Sequence, residues 1–88
     1  MRYRRASELM EAELGDELVA LDERRGLCFG FSSVATDVWR LLEKPRTLDE
    51  LVMGLREQYE VGERQCRDDV RDLLDDMLRE GVIDVERD

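Results

Sequence analysis

The chain has 88 residues, room for one domain with a single small core and too few for a catalytic cleft of ordinary size. Its 14 Lys and Arg against 23 Asp and Glu leave a net charge of −9, a balance that repels phosphate backbones and disfavours nonspecific nucleic-acid binding. Histidine is absent, which excludes His-based triads and His-containing zinc sites.

From Glu8 to Leu14, Met10, Ala12 and Leu14 alternate with Glu11 and Glu13, a period of two that predicts a strand with one face in water. Gly15-Asp16 supplies a tight turn. The run Glu17 to Asp22 is apolar at four consecutive positions and bounded by acids, which predicts a strand covered on both faces in the middle of a small sheet. Glu23-Arg24-Arg25-Gly26 makes a second turn, with Gly26 free to take a positive φ. A third strand, Leu27 to Phe31, puts Leu27, Phe29 and Phe31 on one face and leaves the other nearly bare at Cys28 and Gly30. The resulting meander places this strand at an edge.

After Ser32-Ser33 the period lengthens to that of a helix, with Val34, Ala35, Val38, Trp39, Leu41 and Leu42 in an apolar stripe, a serine at the cap and Pro45 beyond the end. Thr47 and Glu50 have the spacing of a capping box, followed by Leu48, Leu51, Val52, Leu55 and Tyr59 at helical spacing, with Gly62 as a stop. A third helix, from about Glu63 to Glu80, carries Cys66, Val70, Leu73, Leu74, Met77 and Leu78. Gly81 closes it before a short apolar tail, Val82-Ile83-Asp84-Val85. Three strands followed by three helices is an α+β arrangement in which the helices cover one face of the sheet, and no linker or repeat divides residues 1–88.

The two cysteines, Cys28 and Cys66, fit no C-x-x-C metal or redox spacing. A disulfide between them stays open; two reduced, partly buried thiols of a cytosolic protein are the preferred reading. No apolar run nears the length of a membrane span, so a soluble, cytoplasmic chain without a membrane partner is expected. Catalysis finds no constellation: Ser7, Ser32 and Ser33 have no histidine base, and Asp68-Asp69 and Asp75-Asp76 splay around a helix instead of converging. The scattered glycines form no phosphate loop, and no cofactor or metal is expected.

Recognition is the remaining opportunity. The strand Leu27 to Phe31 carries neither lysine nor proline, the usual protection of an edge, so an extended peptide could add to it; a helix of the same chain covering that edge is an equally weighted reading. On the third helix Cys66, Asp69, Val70, Leu73 and Met77 share a face, a stripe broad enough for a central core helix or for a groove, and Asp69 at its margin calls for a partner.

The segment Gly26-Leu27-Cys28-Phe29-Gly30-Phe31-Ser32-Ser33-Val34-Ala35, with Trp39, Arg46-Thr47-Leu48-Asp49-Glu50-Leu51, Tyr59, Asp69-Val70, Leu73-Leu74 and Gly81-Val82-Ile83, resembles the PqqD-like family. This family comprises leader-recognition domains of ribosomally synthesised, post-translationally modified peptide pathways. The resemblance runs from about Leu18 to Ile83 and looks most like the stand-alone leader-binding proteins of lasso-peptide biosynthesis. It implies a winged-helix-like domain with a three-stranded antiparallel sheet and three helices, working as a non-catalytic adaptor. It also implies that a precursor leader peptide adds along Leu27 to Phe31 under the third helix. The partners implied are that leader, a separate cysteine leader peptidase and a cyclase. A chaperone of pyrroloquinoline quinone synthesis is the alternative, set against the absence of proline at Glu23-Arg24-Arg25-Gly26. A winged-helix DNA-binding protein is the weaker one, because acids outnumber arginines between residues 47 and 81.

Overall fold

The computed structural model describes residues 1–87. It contains, among these, five strands and three helices: β1 (Arg2–Arg5), β2 (Met10–Leu14), β3 (Glu17–Asp22), β4 (Leu27–Gly30), α1 (Ser33–Leu41), α2 (Leu48–Gln58), α3 (Glu63–Glu80) and β5 (Ile83–Glu86). The α+β class and the three-stranded antiparallel meander β2-β3-β4 are those expected, with β3 in the middle and β4 at an edge. The strand count differs. A second antiparallel sheet joins the chain ends, pairing Arg2 with Glu86, Tyr3 with Val85, Arg4 with Asp84 and Arg5 with Ile83. Tyr3 also exchanges both backbone hydrogen bonds with Arg46, at 2.7 and 2.9 Å. The apolar tail after Gly81 is therefore a strand whose partner lies at the far end of the chain.

The helix boundaries follow the capping chemistry. Ser32 caps α1, its hydroxyl accepting from the Ala35 amide at 3.2 Å. Thr47 and Glu50 form the complete capping box of α2, with Thr47 N donating to Glu50 Oε1 at 2.8 Å and Glu50 N to Thr47 Oγ1 at 3.2 Å. Gly81 ends α3 in the left-handed region at φ 77°, where a side chain would be strained. Gly62, expected to stop α2, instead precedes the first turn of α3, and α2 ends at Gln58 with Tyr59 as its C-cap.

One core holds the layers together. Leu18 and Ala20 on β3 meet Val38 and Trp39 on α1, Leu51, Val52 and Leu55 on α2, and Val70, Leu74 and Met77 on α3, with Ile83 and Tyr3 closing the end. The β2 face is reversed from the expected one. Cross-strand pairing puts Glu11 beside Ala20 and Glu13 beside Leu18 on the helix side, and sends Met10, Ala12 and Leu14 outward. The helix side accepts the glutamates because it provides partners: Trp39 Nε1 donates to Glu11 Oε1 at 2.7 Å, and Arg40 stands 3.7 Å from Glu13. No helix among the described residues is long and apolar enough to cross a membrane.

Candidate functional site

The site begins with the backbone of β4. Its partner register, Val19 with Gly30, Ala20 with Phe29, Leu21 with Cys28 and Asp22 with Leu27, continues one residue past the strand, where Phe31 N donates to Leu18 O at 3.1 Å. Hydrogen bonding alternates along an antiparallel strand, so Leu27, Phe29 and Phe31 bond toward β3. The N–H and C=O groups of Cys28 and Gly30 then point away from the sheet. Among the described residues, no strand pairs with β4 on that side. The edge is therefore open to an added strand, at two residues with little side chain to obstruct it.

The β3–β4 turn leading into that edge is tied to α3. At one end Arg25, in the β3–β4 turn, donates through Nη2 to the Glu80 carbonyl at 3.1 Å, tying the turn to the C-terminal end of the helix. The same guanidinium bonds Asp22 through Nε at 2.6 Å, which holds the Asp22 carboxyl below its usual range, and stands 5.7 Å from the Phe29 ring centre. At the other end the start of α1 approaches the first half of α3. There Val34, Leu55, Tyr59, Glu60, Val61, Cys66, Asp69 and Val70 surround a hollow of about 300 Å³ with mostly apolar walls. The hollow thus lies between the start of α1, the end of α2 and the first half of α3, and the β3–β4 turn is tied to the opposite end of α3.

The residues singled out by sequence divide by depth. Cys28 and Gly30 are exposed, Leu27 is 43% exposed, and Phe29 and Phe31 are half-buried against the core, with Phe31 5.2 Å from the Trp39 ring. On α3, Cys66, Val70 and Met77 are buried, Leu73 is half-buried and Asp69 is exposed. Asp69 accepts from Gln65 Nε2 at 2.9 Å, a partner one turn earlier on its own helix. Both cysteines are free, and burial raises the pKa of the Cys66 thiol. The structure brings Cys66, Asp69 and Val70 together with five residues that sequence reading assigned to helix stripes or left unassigned: Val34, Leu55, Tyr59, Glu60 and Val61. Tyr59 is fixed there by its hydroxyl, which donates to Asp37 on α1. No local pattern announces such a hollow, because it forms where the ends of three helices meet.

Comparison with known proteins places these features in a family. The family model described as coenzyme PQQ synthesis protein D (PqqD) matches residues 17–83. Among solved structures, TbiB1 in complex with the TbiA(beta) leader peptide superposes with a TM-score of 0.84 at 26% identity, over 97% of this chain and 99% of that one. Lasso peptide synthetase B1 complexed with the leader peptide superposes with a TM-score of 0.78 at 24% identity, over 94% and 98%. No curated protein sequence matches significantly.

Proposed function

The chain belongs to the PqqD family, and on that premise we propose that it binds the leader of a ribosomally synthesised precursor, of the lasso-peptide kind, as a strand added to β4. It then delivers that leader to a separate cysteine leader peptidase and performs no chemistry itself. The observation that carries this reading is the open edge, with the Cys28 and Gly30 backbone aimed outward. Support comes from the two leader-bound structures that share the fold.

In this arrangement Leu27 to Phe31 supply the pairing edge. Cys66, Val70 and Met77 form the buried floor on α3, while Leu73 and Asp69 stand at its wall. Leader residues opposite Phe29 turn toward α3, and those opposite Cys28 and Gly30 turn to the outer side of the sheet. Delivery needs no catalytic group: holding the leader raises the effective concentration of the scissile region at a peptidase that also engages this protein. A chaperone role in pyrroloquinoline quinone synthesis is the second reading, favoured by the description of the matching family model.

Calorimetric titration tests the assignment. The leader half of a lasso precursor, synthesised separately, is expected to bind, and its core half and the quinone precursor peptide are not. Binding of the core half alone, or retardation of duplex DNA at low salt in place of leader binding, would overturn it.

A further inference from the structure

Arg25 is held by three elements at once. In the β3–β4 turn its backbone N–H and its Nε both donate to the Asp22 carboxylate, at 3.2 and 2.6 Å, and Nη2 donates to the Glu80 carbonyl at the end of α3, at 3.1 Å. On β4 the Phe29 ring centre lies 5.7 Å from its guanidinium carbon. Gly81 leaves the space the guanidinium fills, since a Cβ there would come within 3.0 Å of Nη2. A planar fork fixed in this way gives up little further freedom on meeting a ligand. Its donors are not exhausted: Asp22 and Glu80 take Nε and Nη2, and among the described residues nothing accepts from Nη1. The side chain is 47% exposed. Arg24, its neighbour in the turn, is by contrast already paired through Nη1 with Glu8.

Strand geometry brings a leader side chain to this group. Phe29 pairs with the fully buried Ala20, so its side chain is on the helix side of the sheet. Its backbone bonds toward β3, so a leader residue opposite it in an antiparallel addition forms the pair that exchanges no hydrogen bonds, with Cα atoms about 4.5 Å apart and side chains at their closest. That side chain lies against the half-buried Phe29 ring, beside the guanidinium.

We propose that Arg25 is a specificity-determining residue of the leader site, and that the leader side chain opposite Phe29 carries a carboxylate that pairs with it. The inference rests on the added-strand reading above. Charge elsewhere sharpens the choice: the protein is net −9, and Glu60 and Asp69 border the hollow at the opposite end of α3. An acidic leader side chain is repelled at that end and accepted at Arg25. One carboxylate therefore fixes which leader residue stands opposite Phe29, and a slip by one residue turns it to the other face of the sheet. A half-exposed ion pair adds modest affinity, and its main effect is to select among leaders.

Calorimetry with the synthetic leader half of a lasso precursor, each of its Asp and Glu residues replaced in turn by the amide, tests the pairing. R25Q should weaken binding of the unaltered leader about fivefold, and one acid-to-amide leader should weaken binding to the unaltered protein by about the same factor. The two changes together should weaken it no further, whereas a purely structural role for Arg25 would produce the same loss with every leader. Losses that multiply for every leader would overturn the proposal and leave the added strand standing. Where R25Q is itself less stable, the unaltered protein decides by NMR: the Arg25 Nε–H resonance should move with the acid-bearing leader and stay in place with its amide counterpart. A resonance that moves equally with both would overturn the pairing. Failure of the unaltered protein to bind the unaltered leader would instead be a failure of the added-strand reading, visible in the first titration.

Discussion

The indole N–H of Trp39 donates to Glu11 Oε1 at 2.7 Å, joining α1 to β2 across the helix side of the sheet. Arg5 completes the arrangement: it stands 3.4 Å from Glu11, lies 4.6 Å from the Trp39 ring centre and donates twice to the Trp39 carbonyl, at 2.7 and 3.1 Å. One carboxylate thus ties both sheets to the first helix. Trp39 is 2% exposed but the Glu11 side chain is 46% exposed, so removing Glu11 takes away the indole's partner at a site that water can partly reach. Glu11→Ala should cost about 1 kcal/mol in urea unfolding, and Glu11→Gln, which keeps the acceptor, clearly less. Equal losses in the two variants would contradict this account of Glu11.

The same residue shows where sequence reading succeeds and where it stops. The alternation from Met10 to Leu14 correctly marks a strand, but periodicity cannot tell which face is inside. That choice was made by Trp39, Arg5 and Arg40, residues distant in sequence that give the glutamates partners. The β1–β5 sheet escaped for a related reason: Arg2-Tyr3-Arg4-Arg5 carries one apolar residue, and its partner lies at the opposite end of the chain. By contrast, the helices were legible almost to the residue at Ser32, Thr47 and Gly81, because capping is local chemistry. At the candidate site the open edge was legible from Leu27 to Phe31. The depth of Cys66, Val70 and Met77 was not, since a stripe gives direction around a helix and says nothing of what covers it.

Acid should loosen the capping box and the β3–β4 turn together. The Thr47 amide lowers the Glu50 pKa, and the Arg25 guanidinium lowers that of Asp22. A carboxylate with a depressed folded pKa contributes stability that is fully present above its unfolded value, about 4, and is lost as pH falls through the folded one. The unfolding midpoint should therefore drop on acidification below about pH 4, and drop less in an Asp22→Asn, Glu50→Gln protein. Parallel curves for the two proteins would refute the assignment. At neutral pH, Thr47→Ala should cost about 1 kcal/mol through loss of the cap.

The two thiols should behave as different chemical species. Cys28 is exposed and Cys66 is buried, with its thiol pKa raised by that burial and its thiolate correspondingly scarce. Near neutral pH, mass spectrometry should show one maleimide added per folded chain, at Cys28, and a second only after unfolding. Two additions at equal rates, or none without reductant, would contradict the structure.

Asp69 tests the rim of the hollow separately from the strand edge. Its side chain is exposed and bonded to Gln65, so Asp69→Asn should leave the unfolding midpoint unchanged. If the carboxylate meets a donor or a basic group of the leader, calorimetry should show a loss of about tenfold in affinity. Unchanged affinity would remove Asp69 from the site and leave the edge intact.

The central claim, a leader held as a strand on β4, is tested most directly by hydrogen exchange resolved to single amides, with and without saturating leader. Phe29 and Phe31 bond toward β3 and should be protected in both states, whereas Cys28 and Gly30 should exchange freely alone and slow markedly on binding. A leader that binds fully while Cys28 and Gly30 exchange as fast as before would contradict the account.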